Sequence, residues 1–474
     1  MARFLALLVL LLAPTLAQNL LSLAPQGAVA GFYLSDLGNS RYFKGIAADW
    51  KQSGMENLLS RELQMQAGSD SDLLGIAAGG AAVALYSDGF FVMARPSATA
   101  MKTIRKDTKG LKPRAGWLVG SDKTTLTGFS RDLVFIATPK YGQLFLQGQR
   151  GLQAPVSGDI VLWGAPPQDI LKSLQLPPRT NSAARVIKRF SYALKLTAGG
   201  YTDETRVDIN PAPDSTLASF FLPKDQPYDA ANLPQGLAVS TGLLDFAKLA
   251  SYLSTLAGEF NSKINLDLSA FGNHYATVTV QGPPPAPDGR SQDVLGHTLL
   301  YVEVKDPATA EANLLGLLQN LAAFATPQGK GGFKVLPNEG DFKTVEVGFI
   351  GKLYYKVETT RIIIATSKNA LAAVNGPTWK DNPNYQKFRI RIPANTVGYS
   401  FGDNGAALSM SAAQIGDALP QTIGSQMDAK SSKELAQSLA DFMGRLAKRF
   451  GSGLSYATVE GNSLVSRGFY EVRW

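Results

Sequence analysis

The chain has no cysteine and only two histidines among its 474 residues. Without thiols there can be no disulfide, no cysteine nucleophile and no thiolate metal site. Imidazole chemistry is confined to His274 and His297. Each is expected at the start of a strand, and neither has Glu or His beside it at metal-ligand spacing. The H-E-x-x-H pair of zinc-protease helices is missing. No lysine has a serine three residues before it, so the Ser-x-x-Lys pair of cell-wall hydrolases is missing too. No serine nucleophile elbow is read from the sequence. Gly329-Lys330-Gly331-Gly332 lacks the flanking residues of a phosphate loop. Gly402-Asp403-Asn404-Gly405 lacks the recurring acidic ligands of a calcium loop and reads as a turn. No catalytic, cofactor-binding or metal-ligating residue is assigned.

Long hydrophobic runs are equally scarce. The apolar residues 4–13 follow Arg3 and lead to Thr15-Leu16-Ala17, whose small residues suit a signal peptidase. The run is shorter than the ~20 residues that span a bilayer. Residues 1–17 are therefore expected to be a cleaved signal peptide, leaving 457 residues outside the cytoplasm, periplasmic or extracellular. The uncharged stretch 73–86 is also too short to span, is broken by Gly79-Gly80, and reads as core.

What is present suits folded domains. Apolar residues make up 45% and charged residues 18% of the chain, which suits globular folding rather than disorder. The length suits two cores. The net charge of +8 gathers partly at 105–114 and 185–189. Such a surface can meet an anionic envelope polymer, a lipid surface or another envelope protein, although a solvated face that aids solubility explains it as well. Nucleic acid is not expected, because no basic-aromatic recognition motif is present.

A repeated step organises the chain. Residues 297–324 read as a buried strand, a Lys-Asp-Pro corner and a long helix, with Asp306 as N-cap and Pro307 in the first turn. Residues 90–104 repeat the step around Arg95-Pro96. Ile136-Ala137-Thr138-Pro139-Lys140 matches Ile364-Ala365-Thr366-Ser367-Lys368, and Phe190-Ser191-Tyr192-Ala193 matches Leu454-Ser455-Tyr456-Ala457. Phe90 pairs with Leu299 in the same alignment. The fold class expected is α+β, with two related, internally duplicated domains of antiparallel sheet and packed helices. Their bounds are 18–222 and 234–474, separated by a proline-containing linker at 223–233.

Two features invite a functional reading. Glu303 shares a strand face with Leu299, Tyr301 and Lys305, where a solvated or ion-paired carboxylate explains it without catalysis. The helix at 431–450 carries the stripe Leu435, Leu439, Phe442, Met443, Leu446 and Phe450. That stripe suits packing on the sheet or contact with a membrane surface.

The corner at 301–307, the I-A-T/S-x-x-A step at 364–370 and the D-N-P-x-Y/F-x-x-F segment at 381–388, leading to Ile392-Pro393-Ala394-Asn395, carry a family likeness. The chain resembles the exported bacterial family called domain of unknown function 3352. The resemblance implies an exported, envelope-associated protein and supplies no catalytic residue. The function expected is non-enzymatic binding or scaffolding. The alternatives are a carrier of an apolar or lipid-like ligand, which needs a dry cavity, and a hydrolase uniting Glu303 or Asp306 with His297 and a hydroxyl.

Overall fold

The computed structural model describes residues 18–36, 40–55, 78–105, 110–165, 185–211, 215–259, 267–282, 296–324, 332–410, 412 and 429–473. The leader expected at 1–17 lies outside the described residues, as do Gly329, Lys330 and Gly331. Antiparallel strands and helices make up the protein, as an α+β class requires.

Among the described residues twenty strands form one sheet. The first ten are β1 (Ala30–Leu34), β2 (Ala81–Tyr86), β3 (Gly89–Ala94), β4 (Lys112–Arg114), β5 (Trp117–Ser121), β6 (Leu126–Phe129), β7 (Val134–Ala137), β8 (Ile160–Gly164), β9 (Ile187–Thr197) and β10 (Gly200–Ile209). Their partners place them side by side in the order β4-β5-β6-β7-β3-β2-β1-β8-β9-β10.

The second ten are β11 (Ala238–Leu243), β12 (Phe271–Thr279), β13 (Thr298–Val304), β14 (Phe333–Glu339), β15 (Phe342–Val347), β16 (Gly351–Val357), β17 (Arg361–Ala365), β18 (Thr396–Asp403), β19 (Phe450–Glu460) and β20 (Ser463–Val472). Each pairing in the first set recurs in the second with ten added to both strand numbers. The two sets meet where β10 runs antiparallel to β20, from Gly200↔Glu471 to Asp208↔Ser463.

The seam is built from complementary side chains. Tyr201 stacks on Tyr470 directly opposite, with ring centroids 4.5 Å apart. Arg467 faces Glu204 at 2.9 Å and reaches Glu460 at 2.7 Å, while Arg206 donates across the seam to Ser463 Oγ at 2.9 Å. Directly opposite charges of unlike sign stabilise a strand pair and set its register. Gly200 makes the approach possible, since a Cβ there would lie 1.8 Å from the Tyr470 carbonyl oxygen.

Asp203 shares the face of Tyr201 on β10, opposite Gly468 and away from Glu204 and Arg206. Burial pushes its carboxyl up to about 6, against hydrogen bonds from the Gly468 amide and the Tyr192 hydroxyl.

Alternating side chains bury both faces of the sheet. On one face Phe91, Met93, Phe135 and Trp163 form the core of the first half, and Leu299, Tyr301, Ile363 and Phe401 that of the second. On the other face Val302 and Val304 pack under the helix Pro307–Phe324. Glu303 lies in this strand with its side chain 35% exposed and ion-paired with His274 at 2.6 Å, as the paired-carboxylate reading of the sequence expects.

The helix Ala429–Arg449 belongs to the second half and packs on the first. Leu439, Phe442 and Leu446 meet Ile46 and Trp50 of the helix Arg41–Gln52 and Ile160 and Leu194 of the sheet. The apolar stripe of this helix is thus spent on packing. Arg449 closes the contact on Asp49, Nη2 to Oδ1 at 3.0 Å, where the Asp49 side chain is only 8% exposed.

Three sequence expectations change. The stretch 223–233 is no free linker, because Ala230, Ala231 and Leu233 are buried in the second core. Gly402-Asp403-Asn404-Gly405 is not a turn but a strand-to-helix junction, with Asp403 Oδ1 accepting from the Ala406 amide as an N-cap. Two proposed matches slip by one residue. With Ala137 set against Ala365, the registers Phe91↔Ala137 and Leu299↔Ala365 put Phe91, not Phe90, in the place of Leu299. Carried along the ladder to Trp163↔Ser191 and Phe401↔Leu454, the same correspondence puts Ser191, not Phe190, in the place of Leu454.

Two outcomes follow from these contacts. Arg449→Met strands the buried Asp49 carboxylate and is expected to cost roughly 3 kcal/mol in urea unfolding. Asp203 has a folded pKa above its unfolded value, so its neutral form stabilises the fold at low pH and that stability is lost as pH rises from about 4 through about 6. Asp203→Asn is expected to raise stability above wild type at pH 7.5, with the advantage vanishing below about pH 4 in the same unfolding measurement.

Candidate functional site

A half-open cleft of about 520 Å³ lies on the second half, between the β14–β15 turn, β16, β17, the short helix Lys368–Ala373 and Pro234. Its volume falls in the range of small-ligand sites. Tyr301, Phe342, Ile363, Leu371 and Val374 form its floor, and Glu339, Asp341, Lys356, Glu358 and Arg361 its walls.

The matching place in the first half is filled. There Trp117, Phe135 and Phe145 form a triad with centroids 5.0–5.2 Å apart. Phe135 and Ile363 occupy the same ladder position, opposite Met93 and Tyr301 respectively. Phe145 and Val374 each lie seven residues past the residue that caps the short helix, Thr138 and Ser367. Ser121↔Leu126 and Thr344↔Tyr354 align the hairpin strands; Gly340 lies in the turn before β15, and Phe342 opens β15 as Trp117 opens β5. Two aromatic side chains are thus replaced by Ile363 and Val374, both of which line the cleft.

The strand beneath changes in step. Gly128 lets the Phe135 ring lie against its backbone, with a Cβ there only 2.0 Å from the ring. At that ladder position the second half has Lys356, opposite Ile363. The turn Ser130–Leu133 likewise becomes Glu358–Arg361, closed by the same backbone hydrogen bond. An aromatic plug has become a charged opening.

The charges of the cleft are arranged in pairs. Arg361 Nε donates to Glu358 at 2.7 Å, and its guanidinium lies over the Tyr301 ring, 5.4 Å from the centroid. Lys356 reaches Asp341 at 3.4 Å, and Lys368, just outside, holds Glu339 at 2.9 Å. Burial pushes the Tyr301 hydroxyl up to about 12, with Arg361 opposing, so it stays a neutral phenol near pH 7. No serine, threonine or histidine is among the lining residues.

The residues singled out in the sequence are dispersed. Glu303 accepts from the Asn273 amide at 2.9 Å, the His274 amide at 3.2 Å and His274 Nδ1 at 2.6 Å. It thereby fastens an irregularity in β12 between Phe271 and Tyr275. Burial raises the Glu303 carboxyl, but these hydrogen bonds prevail and hold it below its ordinary value. Asp306 caps the helix Pro307–Phe324 through the Ala308 amide at 3.2 Å.

His297 lies at the far end of β13, about 20 Å from Glu303 along the strand. Its Nδ1 meets Ser367 Oγ at 2.8 Å. That pair escaped the sequence reading, since 70 residues separate its members. Ser367 is 6% exposed, and its hydroxyl also accepts from the Ala370 amide at the helix start. The pair therefore fastens a helix end to a strand.

A G-x-S-x-G string does occur, at Gly398-Tyr399-Ser400-Phe401-Gly402, and the sequence reading passed over it. It lies inside β18, where Ser400 pairs with Ser240 on one side and Ser455 on the other. A nucleophile elbow needs a sharp strand-to-helix turn at the serine, which a doubly paired strand does not provide. Among the described residues no group of three His, Asp or Glu side chains is placed to hold a metal ion. No described helix is long and apolar enough to cross a membrane.

No protein-family model matches the chain, and no curated protein matches it. Among solved structures, crystal forms IV, I and III of TP0453 are similar to 40–44% of this chain and to 79–88% of their own length, at 12–16% identity and TM-scores of 0.26–0.27. A likeness this slight carries no argument.

Glu303→Gln keeps one acceptor but removes the charge that three donors share. It is expected to cost about 1–3 kcal/mol near pH 7. The folded pKa of Glu303 is depressed, so its contribution is present above its unfolded value and lost as pH falls through the folded one. The variant should therefore converge with wild type in acid, as read by urea unfolding across pH.

Proposed function

We propose that this protein is an exported, envelope-associated binding or scaffolding protein without catalytic chemistry, and that its binding position is the cleft of the second half. One observation carries the reading. Where the first half fills a ladder position with Trp117, Phe135 and Phe145, the second half leaves a cleft of about 520 Å³. A core left open forfeits packing energy, on the order of several kcal/mol for large aromatic side chains, which selection for stability alone does not favour. The walls hold paired charges and lack the hydroxyl–imidazole pairing that acyl transfer needs. The same charged walls suit a polar occupant and oppose an apolar cargo, which favours a dry lining.

The export part of this reading is supported by the signal-like residues 1–17 and by the resemblance to the exported family named above. We also propose that the two halves arose by internal duplication, a reading supported by their recurring strand pairings and by the shared Ile-Ala-Thr step. On this reading one copy retained the plugged core and the other opened it.

The reading is tested by retention of envelope extract on immobilised protein lacking residues 1–17, for wild type and the cleft-filling variant Ile363→Phe/Val374→Phe. Mass spectrometry of retained polymers, lipids and proteins should find a component held by wild type and released by the variant. Equal retention by both, or none by either, would contradict a binding role for the cleft.

A further inference from the structure

We infer that the cleft takes a neutral, hydroxyl-rich ligand, a saccharide segment of about two or three units. This rests on the cleft being a binding position and adds the chemistry of its occupant. Anions are disfavoured because both lining cations already face carboxylates, Arg361 with Glu358 at 2.7 Å and Lys356 with Asp341 at 3.4 Å. An anion would have to displace those partners while meeting a third carboxylate, Glu339. Cations gain little for the mirror reason, since Lys356, Arg361 and the adjacent Lys368 balance the three acidic groups. Apolar ligands would strip water from charged walls without replacing its hydrogen bonds, a costly exchange.

Hydroxyl groups avoid each of these penalties. A carboxylate oxygen engaged by one cation has lone pairs left to accept from an O–H, and a guanidinium or ammonium has N–H groups left to donate. Neither exchange breaks an ion pair. Hydrogen bonds to charged groups contribute roughly 1.5–3 kcal/mol each, so two or three give useful affinity without net charge. The aliphatic floor of Leu371 and Val374 offers a surface for the C–H face of a sugar ring. Amides of Asn232 and Asn375 on the rim add paired donors and acceptors. A volume of about 520 Å³ accommodates a short segment rather than a single ring.

The test uses the chain from residue 18 onward, with maltotriose and tri-N-acetylchitotriose as saccharide probes, citrate as anion and decanoate as apolar probe. Calorimetry gives affinity, and hydrogen exchange read by mass spectrometry gives the place. At least one saccharide should bind wild type and protect residues 339–341, 356–361 and 371–375. Ile363→Phe/Val374→Phe should abolish that binding. Glu358→Gln, which leaves the floor intact, should weaken it about tenfold, the loss of one charge-assisted hydrogen bond. It serves as the second variant should the double substitution unfold, which circular dichroism will show.

Saccharide protection elsewhere on the chain, or unaltered affinity in both variants, would overturn the assignment. Citrate or decanoate protecting the cleft in place of either sugar would overturn the ligand class while leaving a binding role for the cleft. Silence of all four probes at the cleft would overturn the saccharide assignment, and retention of extract by the cleft then decides the broader reading separately.

Discussion

The antiparallel pairing of β10 with β20 is the constraint on which the rest of the architecture depends. Each half on its own would end in a strand of ten residues with open backbone groups, an edge that invites uncontrolled association. Each edge covers the other. The seam needs Gly200, whose missing side chain admits the Tyr470 carbonyl, and it is locked by the Tyr201–Tyr470 stack and the Glu204–Arg467 pair. The helix Ala429–Arg449 then crosses to the first half and buries Phe442 against Trp50, with centroids 5.3 Å apart. Strand pairing and helix packing thus tie the same two halves on different layers.

Within that frame the halves differ at the cleft. Their ladders are alike, so a cleft in one and a plug in the other reflect side chains rather than topology. Ile363 and Val374 stand where the first half has aromatic rings, and Lys356, Glu358 and Arg361 bring charge. The rigid sheet beneath holds those charges in pairs, which makes the cleft polar and close to neutral. Rigid placement on strands is what a selective site for an uncharged ligand requires.

Much of the local structure was legible in the sequence. The Asp306 cap with Pro307 follows from short-range chemistry. Register was harder to read. A side-chain period of two makes a one-residue slip look almost as good as the true match, and it placed Phe90 and Phe190 one position off. Long-range partners were not legible at all. Nothing local in His297 points to Ser367, or in Glu303 to His274, because each pair is assembled by sheet order. The cleft was equally hidden, since nothing local in Ile363 points to the Phe135 ring at the same ladder position. The string at 398–402 shows the converse, a motif in sequence flattened into a strand by its neighbours.

The seam is open to one direct measurement. Native-state hydrogen exchange, resolved to the peptides of β10 and β20, reports whether these strands are interior members of a single sheet. Protection of amides in Gly200–Ile209 and Ser463–Val472 is expected to be as strong as in β9 and β19 beside them. Rapid exchange along one side of both strands, as at open edges, would contradict it.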